Sequence, residues 1–66
     1  DEVRTAMIEL NQAMELIPGS AVVWFYLGEA RRLLGDGSGA REAYEKCLQL
    51  QPHHGRARRG LTLLGA

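Results

Sequence analysis

Along the first seventeen positions the apolar residues recur at steps of three and four: Val3, Ala6, Met7, Leu10, Ala13, Met14 and Ile17. That spacing gathers them on one face of a helix, with Glu2, Glu9, Asn11, Gln12 and Glu15 mostly on the other. Pro18 disfavours helical geometry at Ile17 and ends the segment there or just before. A second run starts after Ser20, whose hydroxyl suits the free N–H groups of a first turn. Its core stripe is Val23, Trp24, Leu27, Ala30 and Leu34, while Val22, Phe25 and Leu33 lie off it. A helix apolar on more than one face is either buried between neighbours or carries a second face for a partner. Gly35 follows as the stop, since left-handed geometry brings no Cβ clash there.

The third run holds Ala40, Ala43, Tyr44, Cys47 and Leu48, with Leu50 beside them. Asp36 or Ser38 caps it, Pro52 ends it, and Glu42 and Lys46 form an i,i+4 pair of about 0.2–0.5 kcal/mol. The fourth, Gly55 to Ala66, has a weaker pattern. Ala57, Leu61 and Leu64 share a face, but Gly60 costs roughly 1 kcal/mol relative to Ala. No segment alternates with period two over a useful length. The expected fold is therefore all-α, about four short helices joined by tight turns.

Spacing separates a bundle from a repeat. Pro18 and Pro52 stand in an i,i+34 relation. The same offset pairs Ala6 with Ala40, Leu10 with Tyr44, Ala13 with Cys47, Met14 with Leu48, Leu16 with Leu50 and Leu27 with Leu61. A fixed period of this length in helix–turn–helix units marks a stacked array, in which each unit buries its apolar face against a neighbour.

Residues 21–54 resemble one complete tetratricopeptide repeat (TPR). Trp24, Leu27 and Gly28 stand in a W-x-x-L-G pattern, Gly35 and Asp36 in the common turn, Ala40 and Tyr44 in A-x-x-x-F/Y, and Pro52 at the repeat's end. Several positions depart from the pattern. Arg31 and Gly37 replace aromatics, Cys47 replaces a small alanine, and Arg58 and Thr62 stand where Trp and Gly would be. The resemblance implies a single TPR-like domain over 1–66, a fragment of an antiparallel helix–turn–helix solenoid. Residues 1–18 would be the second helix of a preceding repeat, and 55–66 a following or capping helix. Gly28, Ala40 and Ala43 would let helices approach closely, with Trp24 and Tyr44 filling the volume around them.

The resemblance also implies a concave groove lined by the first helices of successive repeats. Carried over position by position, its residues are Val22, Phe25, Glu29, Arg32 and Leu33, then Arg56, Arg59 and Leu63. Phe25 is the expected apolar anchor, and Arg32, Arg56 and Arg59 are expected to meet carboxylates. Some members of the family clamp a chaperone tail's carboxylate with Lys and Asn; Phe25 and Glu29 occupy those places, which argues against a clamp.

Length and charge sharpen this picture. Sixty-six residues make one small domain, which buries only about 60% of its unfolded surface and needs help from neighbours. The chain begins with Asp1 rather than Met, so we read it as a fragment or a processed chain, and its first residues lack signal-peptide order. The longest apolar run, Ala21 to Leu27, is too short for a membrane span. Net charge is zero. Yet residues 1–20 carry four acids against Arg4, net −3, and residues 53–66 carry Arg56, Arg58 and Arg59 with no acid, net +3.

Catalytic chemistry finds little support. His53 and His54 are adjacent and point apart, so no metal site is expected and both read as solvated linker. Cys47 shares the helical phase of Ala43 and Tyr44 and reads as a small core residue. As the single cysteine it fits a reducing compartment, and the expected location is cytoplasmic. The Gly35, Gly37 and Gly39 loop lacks both the strand before it and the Lys-Ser/Thr of a phosphate cradle. The arginine cluster near the end has no interleaved aromatic, so nucleic-acid binding is not expected. The expected protein is thus no enzyme and takes no cofactor: it is an interaction module holding a peptide or helix in its groove. Two alternatives stand beside this. The chain is a regulatory or structural segment of a larger enzyme, such as a bacterial signalling methyltransferase or glycosyltransferase, or it self-associates through its oppositely charged ends.

Overall fold

The computed structural model describes residues 1–65. Four helices follow one another: α1 (Glu2–Leu16), α2 (Ala21–Leu33), α3 (Gly37–Leu50) and α4 (Gly55–Leu63). The fold is all-α, built of antiparallel helix–turn–helix units. The fourth helix ends at Leu63, earlier than the expected Ala66, because Leu64 caps it and Gly65 takes a left-handed φ of 80°. Ala66 itself lies outside the described residues.

Each helix opens on a side chain that accepts the backbone N–H three residues on, a donor the helix itself leaves free. Asp1 Oδ1 accepts from Arg4 N at 2.8 Å, and Ser20 Oγ from Val23 N at 3.3 Å. Asp36, rather than Ser38, accepts from Gly39 N at 3.0 Å. His54 Nδ1 accepts from Ala57 N at 3.1 Å. His54 is therefore a half-buried helix cap, which corrects the expectation of a solvated linker residue.

The period seen in the residues recurs in the backbone. Ile17 and Gln51, each before a proline, leave helical geometry and bond back to Ala13 O and Cys47 O at 2.7 and 2.8 Å. Ser20 N then bonds Ile17 O, and His54 N bonds Gln51 O. Every one of these pairs keeps the offset that separates Pro18 from Pro52. Between α2 and α3 the reversal is made by Gly35, with φ at 84°.

Helix α2 is the hub. It packs most extensively on α3 and also meets α1 and α4, whereas α1 touches α2 alone among the described helices. The Cα envelope is 26 × 25 × 15 Å. Fifteen ångströms is about the depth of two helices packed at the usual 8–10 Å separation.

Tyr44 on α3 is the centre of the core and is fully buried with Leu27 and Cys47. A Cβ built on Gly28 would lie 2.7 Å from its ring, and one on Gly60 would fall against the same ring. Tyr44 is thus clasped between α2 and α4, and both glycines are required by close approach. Sequence pattern treats Gly60 only as a cost to helix stability; packing supplies its reason. Phe25 joins this core at 7% exposure, with ring centroids 6.2 Å from Tyr44 and 5.0 Å from His54. Glu42 and Lys46 form no ion pair among the described residues. Both are exposed, where pairing gains too little to hold two long side chains in place.

Candidate functional site

A depression of about 410 Å³ lies between α2 and α4, lined by Phe25, Tyr26, Glu29, Arg32, Arg56, Arg59, Gly60 and Leu63. Helix phase supplies the α2 wall: Phe25, Glu29 and Arg32 are spaced by four and three and so point the same way. Gly60 sets the depth, because its lack of a side chain lets α4 close on Tyr44. On α4, Arg56, Arg59 and Leu63 repeat the three-and-four spacing and form the opposite wall.

At the base of this wall sits a small polar network. Tyr44 Oη donates to Glu29 Oε1 at 2.5 Å. Arg32 Nε donates to Tyr44 Oη at 3.2 Å, and Arg32 Nη2 donates to Glu29 Oε2 at 3.0 Å. Burial, and then the bond to Glu29, push the Tyr44 hydroxyl above its ordinary 10.0. It therefore stays a neutral phenol and a donor over the physiological range. The bond to Tyr44, and then that to Glu29, hold the Arg32 guanidinium above its ordinary value. The carboxylate of Glu29 is thereby satisfied from two sides. Arg56 and Arg59 make no side-chain hydrogen bond or ion pair among the described residues, whereas Arg58 turns away to donate to Pro52 O at 3.1 Å.

Of the eight expected groove residues, six line this depression: Phe25, Glu29, Arg32, Arg56, Arg59 and Leu63. Val22 and Leu33 are exposed but lie outside its lining. Phe25 does not stand out as an anchor. It is buried because α4 and His54 close over the face that the sequence pattern leaves open. Tyr26 and Gly60 are lining residues that sequence reasoning missed. For Tyr26 the signal was present: Val22, Tyr26, Glu29 and Leu33 share one helical phase. On the far side of Tyr26 and Glu29 a second trough, about 240 Å³, is lined by Glu2, Val3, Ala6, Leu10, Ala30 and Leu33.

The sequence model described as "Tetratricopeptide repeat" matches residues 21–54. The chain belongs to the tetratricopeptide repeat family. Three relatives are named for the same repeat. Tetratricopeptide repeat protein 36 of Mus musculus is 38% identical over 58 residues, 88% of this chain and 31% of its own length. The Bos taurus protein of that name is 38% identical over 65 residues, 97% of this chain and 35% of its own. A TPR repeat-containing protein of Methanocaldococcus jannaschii is 32% identical over 54 residues, 82% of this chain and 16% of its own. The chain thus spans about a third or less of the curated relatives it matches.

TPR units generally mediate protein–protein interaction. Cys47 is fully buried, and burial pushes its thiol above the ordinary 9.0, the opposite of an activated nucleophile. Among the described residues no three His, Cys, Asp or Glu side chains gather as metal ligands. No described helix is long and apolar enough to cross a membrane.

Proposed function

We propose that the chain is a non-catalytic interaction module whose docking site for a peptide or helix is the depression between α2 and α4. The observation that carries this reading is the convergence of two helices, one period apart in the repeat, on one open concavity with uncommitted cations and an exposed Leu63. Concavities with an apolar floor and a few convergent polar groups are the usual form of a binding site. In this reading residues 21–54 are the complete repeat, α1 is the second helix of a preceding one and α4 the first helix of a following one. The location would be cytoplasmic.

An array of random dodecapeptides, probed with the labelled chain, tests it. Peptides bound by the unmodified chain are expected to be lost on Leu63→Asp and on Tyr26→Ala, with helicity by circular dichroism kept. A set of bound peptides unchanged by both substitutions overturns the reading. Phe25→Ala is not a usable probe, because it hollows the core as well as the depression.

The lengths of the relatives favour a second reading, in which the same surface is filled by other parts of a longer chain, a catalytic domain included. Repeating the array with the flanking coding sequence restored separates the two: occupation in cis abolishes binding that the 66 residues alone display.

A further inference from the structure

We infer that the occupant of the depression is a peptide segment that sets acidic residues beside an apolar one, the carboxylates over Arg56 and Arg59 and the apolar side chain in the trough beyond Tyr26. This rests on the depression being a docking site and adds the chemistry of what docks.

Charge supplies the first half. Three arginines and one glutamate line the depression. Glu29 is the only acid among the described lining residues, and its two oxygens already accept from Tyr44 and Arg32, so it offers little repulsion to an incoming carboxylate. Arg56 and Arg59 are exposed and without side-chain partners among the described residues. Arg56 sits in the first turn of α4, where the helix's own N-terminal partial charge disfavours a cation, and Arg59 lies one turn on along the same face. A carboxylate placed there would relieve that placement and meet two guanidinium forks in charge-assisted bonds.

The second half comes from the neighbouring trough. Its walls are the side chains of Val3, Ala6, Leu10 and Ala30, with Leu33 at 65% exposure and Tyr26 at 47%. Tyr26 and Glu29 line both concavities, so an extended segment leaving one enters the other. Glu2 stands at the trough's edge on α1, as an exposed acid with no ion pair among the described residues. Acids in the ligand are therefore repelled at the α1 end and attracted at the α4 end, which fixes the order of the segment as well as its composition.

Three fluorescein-labelled peptides in a Gly/Ser backbone test this on the 66-residue chain: one with Glu beside Leu, one with Glu beside Ser, and one with Lys beside Leu. Anisotropy gives affinity at low and high salt, and amide shifts in ¹⁵N spectra report the site through Tyr26 and Leu63. The Glu/Leu peptide is expected to bind about tenfold or more tightly than either other, and to weaken with salt. Arg56→Gln with Arg59→Gln should remove that advantage, while Arg41→Gln, an exposed arginine on α3, should not. Equal or tighter binding of the Lys/Leu peptide at the same amides overturns the acidic preference and leaves the docking site standing. Equal binding of the Glu/Ser peptide overturns the apolar half. No shift at Tyr26 or Leu63 with any of the three overturns the docking site together with the inference.

Discussion

Two helices flank the α2–α3 hairpin, and they dock in different ways. Helix α1 has fifteen residues, a clear apolar face and an acidic cap, yet none of its residues is buried. Helix α4 has nine residues and a glycine in its middle, yet it buries Ala57 and Gly60 and touches both α2 and α3. The difference lies in what each offers to its neighbour. Helix α1 lays Ala6, Met7, Leu10 and Ala13 half-buried against α2 alone. Helix α4 brings Gly60, which has no side chain, to the ring of Tyr44, so its backbone comes close, and it buries Ala57 in the same core. An amphipathic stripe states that a face is to be covered; complementary size decides how tightly.

The largest effects expected are on the two glycines at that ring. Gly28→Ala and Gly60→Ala each drive a methyl group into Tyr44, an overpacking that costs about 1–3 kcal/mol. Gly28 lies in the hairpin, so its substitution should lower the urea midpoint of the whole chain. Gly60 lies at the docked face of α4, so its substitution should strip hydrogen-exchange protection from α4 first and leave α2 and α3 protected. Uniform loss of protection in both variants would mean that α4 and the hairpin form one cooperative unit.

Tyr44→Phe comes next. It deletes the hydroxyl shared by Glu29 and Arg32, at about 1.5 kcal/mol, the low end for bonds to charged groups because both partners are only partly buried. It should also change the alkaline limb of stability. Tyr44 and Cys47 both have pKa values raised in the fold above the ordinary 10.0 and 9.0 of the unfolded chain. On raising the pH the unfolded chain loses these protons first, so the folded state holds more of them and stability falls. The contribution is complete below about pH 9, and it declines first through the cysteine and then through the tyrosine. Urea titrations above about pH 8 should show two steps, the lower absent in Cys47→Ala and the upper absent in Tyr44→Phe. A single-step decline unaffected by either variant would remove both groups from the account.

His54→Ala should cost roughly 1 kcal/mol, since it removes the acceptor that caps α4 at Ala57 N. His54→Asn, which can accept the same bond, should recover most of it. Failure of Asn to recover would mean that the ring's contact with Phe25 matters more than the cap.

Much of this was legible in the residues. Four helices, their proline and glycine boundaries and the period from Pro18 to Pro52 follow from local rules, and each cap except His54 is a standard capping type. His54 was legible only through that period, as the counterpart of Ser20 in the next unit. Burial at the α2–α4 face was not legible, because it depends on how closely two distant backbones approach. That is why Phe25 read as an anchor when it is core, and why Gly60 read as a weakness. Tyr26 was legible from helical phase, which it shares with Val22, Glu29 and Leu33.

The smallest effect expected returns to α1. Ile8 is 60% exposed on a helix whose only contact among the described helices is α2, so Ile8→Ala should change the urea midpoint by no more than about 0.5 kcal/mol. Leu61→Ala, on the half-buried face of α4 that packs on the core, makes the matched measurement on the other flank and should cost more. The pair tests the comparison directly, since both delete aliphatic carbons from a flanking helix. If Ile8→Ala costs as much as Leu61→Ala, α1 is held in solution by contacts beyond its half-buried stripe, and the contrast between the two flanks fails.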